Sequence, residues 1–282
     1  MKLISYLDDH RVNRIAYVEG DKVFSLDFTG DMVTLIQDGA ESLNMYVEQA
    51  LKRPALSLQQ VDLAAPLLAP AKIVAIGKNY AEHAIETKSA VPEEPIVFAK
   101  FATSIIGPGA DITWNASLTN QVDFEAELAV IIGQRARNVA EENALDYVFG
   151  YTCANDVSAR DLQYRGKQWV RGKSLDTFCP LGPWIVTADE IPDPQNLGIR
   201  CRVNGRTMQN SHTSKMIFSV PFLISFLSHH FTLLPGDIIL TGTPDGVGAF
   251  REPPEFLRDG DSVMVEIEAI GQIVNQCRVT AA

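Results

Sequence analysis

The chain has 282 residues, of which 46% are hydrophobic and 21% are charged, a composition typical of a globular protein with one large or two smaller domains. Its formal net charge of −11 excludes a dominant basic face, so we expect neither a nucleic-acid partner nor binding to an anionic membrane. No apolar run reaches the ~18 residues that a membrane helix needs, and a small anionic substrate remains compatible with this charge.

The first 70 residues are predicted to form a small β-rich domain. Short strand patterns between residues 14 and 28 precede a helical spacing of apolar residues at 41–53. The Pro-bounded segment 65–70 marks the boundary, which gives domains 1–70 and 71–282. The N-terminal apolar run is too short for a signal peptide and the four cysteines lack metal-site spacing, so we expect reduced cysteines and a cytoplasmic location.

From residue 71 onward the pattern is mostly β. Helical spacing is predicted only at 80–87, 140–151 and 219–230, and Asn204-Gly205 is a strong hairpin signal between two strands. Many short strands with few helices predict an α+β, β-dominated fold, and they argue against a doubly wound parallel sheet.

The helix predicted at 80–87 carries a candidate acid–base pair. His83 and Glu86 are three residues apart and therefore neighbours on one helical face. A carboxylate beside an imidazole can orient the ring and raise its basicity, so the pair can take a proton from water. The following segment, 88–95, is a candidate lid over a site. The alternative is an incidental His–Glu pair on a surface helix.

The segment 121–130 alternates like a β-strand and carries carboxylates on one face. Glu125 and Glu127 project from the same side, about 7 Å apart, and charges that close repel each other unless a cation lies between them. Asp156, where an apolar stretch abruptly becomes polar, is a third candidate ligand. Three carboxylates suit a hard cation, Mg²⁺, Mn²⁺ or Ca²⁺. The alternative is a half-exposed strand with a solvated face.

The run from Arg160 to Lys173 reverses the local charge of this acidic chain. Arg160 suits a bidentate contact with a substrate carboxylate, and Lys173 precedes an apolar, Pro-rich stretch that can desolvate it. In the Gly-rich segment 240–248, the Gly242 N–H and the Thr243 hydroxyl are candidates for binding a carboxylate or an oxyanion. The alternative is a solvated loop for the basic run and a tight surface turn for the Gly-rich segment.

The order of these motifs resembles the fumarylacetoacetate hydrolase family over roughly residues 71–277. The resemblance implies a mixed β-roll fold, usually in a homodimer. Larger members carry an additional metal-binding Asp upstream of the His, which "IVAIGKNY" lacks, so the compact acylpyruvase-like branch fits better. The motifs that carry the resemblance are "GKNYAEHAIE", "FEAELAVIIG", "GYTCANDVSARDLQ", "GKSLDTFCPLGPW", "NGRTMQ" and "GDIILTGTPDGVG".

The resemblance also implies a role for each candidate residue. Asp123 has no ligand role in the family pattern, and we interpret it as a rim residue. The implied roles are metal ligation of Mg²⁺ or Mn²⁺ by Glu125, Glu127 and Asp156, catalysis by His83, Glu86 and Lys173, and substrate contact by Arg160, Gln163 and Thr243.

The leading hypothesis is a divalent-metal-dependent hydrolase that cleaves a C–C bond of a 2,4-diketo acid. In this hypothesis His83, oriented by Glu86, activates water, and the metal stabilises the enolate of the small anionic 2-oxo acid. One alternative is a decarboxylase or isomerase of oxaloacetate, or of dienedioates from aromatic catabolism, on the same scaffold. Another is a non-catalytic metal-binding protein.

Overall fold

The computed structural model describes residues 1–280 and is dominated by strands. The strands are β1 Lys2–Leu7, β2 Asn13–Glu19, β3 Lys22–Ser25, β4 Leu56–Ser57, β5 Asp62–Ala64, β6 Ile73–Gly77, β7 Ile96–Lys100, β8 Ile105–Ile106, β9 Ile112–Asn115, β10 Val122–Asp123, β11 Ala126–Ile132, β12 Val148–Asn155, β13 Ser158–Ala159, β14 Cys179–Thr187, β15 Gly198–Val203, β16 Arg206–His212, β17 Ile238–Leu240, β18 Ser262–Ile267 and β19 Gly271–Thr280.

Helices are fewer and mostly short. The α-helices are α1 Met32–Ala50, α2 Ala81–Glu86, α3 Arg160–Tyr164, α4 Val170–Lys173 and α5 Val220–His230. Short 3₁₀ segments lie at Leu58–Gln60, Ala102–Ser104, Glu141–Tyr147, Ala188–Glu190, Thr213–Lys215 and Gly248–Phe250. The fold is therefore α+β and β-dominated, as the sequence predicts.

A large mixed sheet runs through the whole molecule in the order β4-β3-β2-β1-β14-β12-β11-β17-β6-β7, with β5 beside β1 and β8 beside β14. The first strands join it directly, because Lys2 and Leu3 of β1 pair antiparallel with Val186 and Ile185 of β14. The boundary near residue 70 stays a prediction about domain organisation, since the residues on either side of it share one sheet.

Strand β11 is buried on both faces and lies between two hydrophobic cores. Leu128 and Val130 belong to a core that includes residues of the smaller sheet, β16-β15-β18-β19-β9. Ala129 and Ile131 point the other way, into the core beneath α1. The alternation predicted for this strand is confirmed, and its polar face opens only at the N-terminal end, where the glutamates lie.

Two helix predictions need correction. The segment 140–151 is helical only as the 3₁₀ turn that ends at Tyr147, and Val148 begins β12 because pairing with β11 outweighs local helical spacing. The first helix begins at Met32, with Asp31 accepting a 2.8 Å hydrogen bond from Thr34 N–H as its N-cap. It is interrupted at Gly39, whose φ is 82°.

The predictions for the hairpin and for the cysteines are confirmed. Asn204 and Gly205 form the hairpin turn between β15 and β16. The exposed rings of His229 and His230 lie at the C-terminus of α5, each with Nδ1 2.8 Å from the carbonyl four residues earlier. The four cysteines, all described, are buried and free of disulfides. Among residues 1–280, no helix is both long enough and apolar enough to cross a membrane.

Asp237 ties β6 to β17, and we expect its replacement to be strongly destabilising. Its fully buried carboxylate accepts hydrogen bonds from Leu234 N–H at 2.6 Å and from Lys72 N–H at 3.1 Å, and it pairs with Lys72 Nζ at 2.5 Å. Asp237→Ala leaves these groups unsatisfied, so the free energy of unfolding should fall by about 2–3 kcal/mol in urea titrations. The exposed helix residue Asp38 is the control: Asp38→Ala should change it by less than about 0.5 kcal/mol. Equal effects of the two substitutions would contradict the assignment.

Candidate active site

Three buried carboxylates converge where β11 and β12 meet. Glu125 immediately precedes β11, Glu127 lies in it, and Asp156 follows the last residue of β12. The antiparallel register pairs Ala126 with Asn155, which brings the three side chains to one place. One oxygen from each carboxylate lies within 4.8 Å of the other two. The structure thus groups the three residues predicted to ligate a metal.

Two buried lysines neutralise part of this cluster. Lys173, the last residue of α4, places Nζ 2.6 Å from Glu125 Oε2 and 2.7 Å from Asp156 Oδ2. Lys100, the last residue of β7, places Nζ 2.6 Å from Asp156 Oδ1. Burial alone would lower the pKa of Lys173. The negative charges of Asp156 and Glu125 raise this pKa by a larger amount, so its net shift is upward. Lys173 is therefore held as an ammonium ion.

Glu127 is the carboxylate of the cluster that lacks a cation. Its Oε2 accepts a 2.8 Å hydrogen bond from Gly242 N–H, and within residues 1–280 no Lys, Arg or His nitrogen lies within 4.0 Å of its carboxylate. Burial raises the pKa of Glu127 well above its usual value, and Asp156 and Glu125 raise it further. A bound divalent cation offsets this repulsion, and carboxylate oxygens are the ligands that such cations prefer. The donor set therefore fits a hard divalent cation.

Arg160 connects the cluster to two further polar side chains. Its Nη1 lies 2.7 Å from Glu125 Oε1 and donates to Gln163 Oε1 at 3.1 Å, while its Nε donates to Asp123 Oδ2 at 2.9 Å. Burial raises the pKa of Glu125, but Lys173 and Arg160 lower it more strongly, to about 2. The remaining Arg160 nitrogen, Nη2, is buried and has no hydrogen-bond partner among the described residues. Both predicted substrate contacts of this helix therefore adjoin the carboxylates.

The interpretation of Asp123 as a rim residue is wrong. Its side chain is fully buried, and besides Arg160 it accepts hydrogen bonds from the N–H groups of Gly248 at 2.7 Å and Ala249 at 2.9 Å. Asp123 thus fixes Arg160 to the end of the Gly-rich segment. Alternation along the strand could not reveal this role, because Gly248 is 125 residues away in sequence.

His83 and Glu86 lie close together but are not hydrogen-bonded. His83 Nδ1 is 3.8 Å from Glu86 Oε1, and both atoms are buried without a hydrogen-bond partner among the described residues. The other carboxylate oxygen of Glu86 accepts a 2.6 Å hydrogen bond from Gly246 N–H. The Phe250 ring packs edge-on against the imidazole, with ring centroids 6.3 Å apart. The Gly-rich segment therefore holds α2 in place over the site.

The two candidates in the Gly-rich segment have different surroundings. We predicted that the Gly242 N–H binds a ligand, but this group is already hydrogen-bonded to Glu127. A glycine is required here, since φ is +96° and a Cβ would lie 2.7 Å from the Asn79 Cβ. The Thr243 hydroxyl accepts a 2.8 Å hydrogen bond from Gln209 Nε2, which leaves its own proton available.

A cavity of about 210 Å³ joins most of these groups. Of the predicted residues, Glu86, Asp156 and Gly242 do not line it. We did not predict the aromatic walls of this cavity from the sequence. We also missed the buried Lys100, although a lysine within the apolar strand "IVFAKF" is a visible signal. The predicted residues that line the cavity are His83, Glu125, Glu127, Arg160, Gln163, Lys173 and Thr243, and the aromatic residues are Phe98, Tyr164, Trp169 and Phe250.

Comparison with known proteins agrees with this geometry. Residues 72–278 match the family described as fumarylacetoacetate (FAA) hydrolase, C-terminal. The oxaloacetate tautomerase fahd2, mitochondrial, of Xenopus laevis is 54% identical over 222 residues, which cover 78% of this chain and 69% of that protein. A solved fumarylacetoacetate hydrolase from psychrophilic Exiguobacterium antarcticum has a TM-score of 0.90 and 41% identity, covering 99% of this chain and 100% of the other.

A second solved structure has a ligand in its description. It is the maleylpyruvate hydrolase from Sphingobium sp. SYK-6 in complex with manganese(II) and pyruvate, with a TM-score of 0.83 and 33% identity, covering 99% of each chain. The family match and these similarities extend well beyond the residues of the carboxylate cluster. The chain belongs to the fumarylacetoacetate hydrolase family, and it is an enzyme of that family.

Proposed function

We propose that this enzyme catalyses the keto–enol tautomerisation of oxaloacetate, with a divalent cation held by Glu125, Glu127 and Asp156. This is the isomerase alternative of the sequence analysis, and it replaces C–C bond hydrolysis as the preferred function. The observation that carries it is the buried Glu127 carboxylate, which has no cationic side chain within 4.0 Å in residues 1–280 and lines a cavity shared with Lys173 and His83. The named activity of the Xenopus laevis relative supports the choice of substrate.

The size of the cavity supports a small substrate. Its volume of about 210 Å³ is below the roughly 300–1,000 Å³ of typical pockets for drug-sized ligands. A four-carbon acid fits such a space better than an extended acylpyruvate. The aromatic walls, including Phe98 and Trp169, give the cavity an apolar side beside the charged cluster.

The proposed cation would be Mg²⁺ or Mn²⁺, with Ca²⁺ as a further candidate. All three accept carboxylate oxygens, and the manganese in the Sphingobium structure supports Mn²⁺. When bound, such an ion supplies Lewis acidity that polarises a 2-oxo group. Lys100, Lys173 and Arg160 hold two of these ligands, Glu125 and Asp156, and the Gly242 N–H holds Glu127.

The tautomerisation moves a proton between C3 and the oxygen on C2. Lys173 carries three N–H protons, of which two are directed to Glu125 and Asp156, so the third is available to the substrate oxygen. The raised pKa of Lys173 keeps it protonated, so it gives a hydrogen bond to the oxygen on C2 and stabilises the negative charge that forms there. In the enol-to-keto direction the enol O–H proton leaves to solvent, and solvent replaces the proton that the imidazole gives to C3. His83, whose Nδ1 has no partner within the described chain, is positioned to carry the C3 proton.

Hydrolysis of a 2,4-diketo acid is the second candidate, and the His83–Glu86 pair favours it. His83 Nδ1 and Glu86 Oε1 are 3.8 Å apart, and a small side-chain rotation would bring them within hydrogen-bond distance. The paired imidazole could then act as the base that takes a proton from water. Tautomerisation needs no water, so the two reactions place different demands on Glu86. A non-catalytic metal-binding role leaves His83 without a purpose, and we do not favour it.

Two further properties stay proposals. We propose a homodimer, as the family resemblance implies. We also keep the cytoplasmic location as a proposal, although the Xenopus laevis relative is named mitochondrial. Light scattering of the purified protein and fractionation of the source cells test them separately.

Removing the charge of Glu127 should abolish cation binding. We expect Mn²⁺ at about 100 times its Kd to stabilise the wild type by about 2.7 kcal/mol, measured as a rise in Tm. Glu127→Gln should lose this response, while its metal-free Tm should not fall, because the amide keeps an acceptor for the Gly242 N–H and burial already disfavours the charged form of Glu127. The exposed Glu142 provides the control Glu142→Gln, which should respond like the wild type. A normal Mn²⁺ response in Glu127→Gln would contradict the assignment.

Lys173 should be essential for tautomerisation. We expect Lys173→Met to slow the conversion of enol- to keto-oxaloacetate by about 10²- to 10⁴-fold, followed by the ultraviolet absorbance of the enol. The exposed Lys52 gives the matched control, Lys52→Met, which should keep the full rate. If Lys173→Met tautomerises oxaloacetate as fast as the control, the proposed donor is wrong.

Glu86 should separate the two candidate reactions. Glu86→Gln removes the group that would orient His83 for attack by water, so it should leave the rate of tautomerisation within a few-fold of the wild type. His83→Ala should bind Mn²⁺ normally but lose about 10²-fold or more in rate. Cleavage of acetylpyruvate by the wild type faster than it tautomerises oxaloacetate, with a loss of that cleavage in Glu86→Gln, would favour hydrolysis instead.

A further inference from the structure

Lys78 occupies a constrained position on the wall of the cavity. It follows β6 and has a φ of +56°, in the left-handed region that lysine rarely adopts. On one side, Gly77 packs against the Trp169 ring, where a Cβ would lie 2.5 Å from a ring carbon. On the other side, the Asn79 amide group exchanges hydrogen bonds of 2.7 and 2.9 Å with the backbone of Phe218. The backbone of Lys78 is therefore fixed from both sides.

Lys78 differs from the other cationic residues of the cavity in having no carboxylate partner. Arg160 is paired with carboxylates at 2.7 and 2.9 Å, and Lys173 is paired with carboxylates at 2.6 and 2.7 Å. Within residues 1–280, no carboxylate lies within 4.0 Å of Lys78, and its ammonium group has no hydrogen-bond partner. Lys78 is therefore a cavity-lining lysine that has no carboxylate partner in the described chain.

We propose that Lys78 binds the distal carboxylate of a 2-oxo diacid and makes the site selective for diacids over 2-oxo monoacids. This inference rests on the proposed function, because it assumes that the 2-oxo acid end of the substrate lies at the carboxylate cluster. A second carboxylate needs a cation whose charge is not already neutralised, and Lys78 meets that need. Glycine would adopt this backbone conformation without strain, so the side chain is what the lysine adds.

The test compares two ligands that differ only at the far end. Oxaloacetate and 2-oxobutanoate share the 2-oxo acid group and carry a carboxylate and a methyl group, respectively. We expect the Mn²⁺-loaded wild type to bind oxaloacetate more tightly in calorimetric titrations. Lys78→Met should weaken oxaloacetate about 10- to 100-fold and leave 2-oxobutanoate unchanged, which also verifies that the site is folded.

Two further variants make the test specific. Lys78→Arg keeps the charge and should keep most of the preference for the diacid. Lys52→Met removes an exposed lysine after α1, outside the cavity lining, and should bind both ligands as the wild type does. Together they separate a contact in the cavity from a general change in net charge.

The outcomes for Lys78 and for the proposed function are distinguishable, because affinity is read at the equilibrium between the tautomers and does not depend on the rate at which they interconvert. A diacid preference that disappears in Lys78→Met supports the inference even if oxaloacetate is not tautomerised. A wild type without that preference, or a Lys78→Met variant that retains it, overturns the inference even if tautomerisation is fast.

Discussion

The burial of four carboxylates beside one another is the constraint on which the site depends. A buried carboxylate costs several kcal/mol unless a cation and hydrogen bonds offset its desolvation. Three cations, Lys100, Arg160 and Lys173, pair with Asp123, Glu125 and Asp156, and each is supplied by a different element of the fold. Glu127 is left with only a backbone N–H, so its charged form depends on a ligand that neutralises it.

The sheet architecture makes this arrangement possible. Because both faces of β11 are buried, its register with β12 is strongly fixed. A slip of one residue would turn the Glu127 side chain into the core. The short helices α3 and α4 then bring Lys173 to the cluster. They approach closely because Gly172 has no side chain, and a Cβ there would lie 2.5 Å from Gln163 N and 2.7 Å from Ala159 O. Backbone packing thus determines where the ammonium group lies.

The fold class and much of the site could be predicted because their signals are local or lie in an ordered series of motifs. Alternation placed Glu125 and Glu127 on one face, and helical spacing placed His83 beside Glu86. Lys100 and Asp123 were not assigned their roles, because their partners Asp156 and Gly248 are 56 and 125 residues away. Strand pattern alone cannot distinguish a lysine that leaves an apolar strand for solvent from one that is buried against a carboxylate.

The polar atoms that lack partners indicate where a substrate can make its bonds. Unsatisfied buried polar groups are uncommon in proteins, and here Arg160 Nη2 and His83 Nδ1 both belong to residues that line the cavity. A guanidinium nitrogen can only donate, whereas an imidazole nitrogen can donate or accept according to its tautomer. An anionic substrate would therefore satisfy Arg160 as an acceptor and leave His83 free to exchange a proton. This division of roles fits the proposed substrate, because the C3 methylene of oxaloacetate, between the keto group and the second carboxylate, carries exchangeable protons.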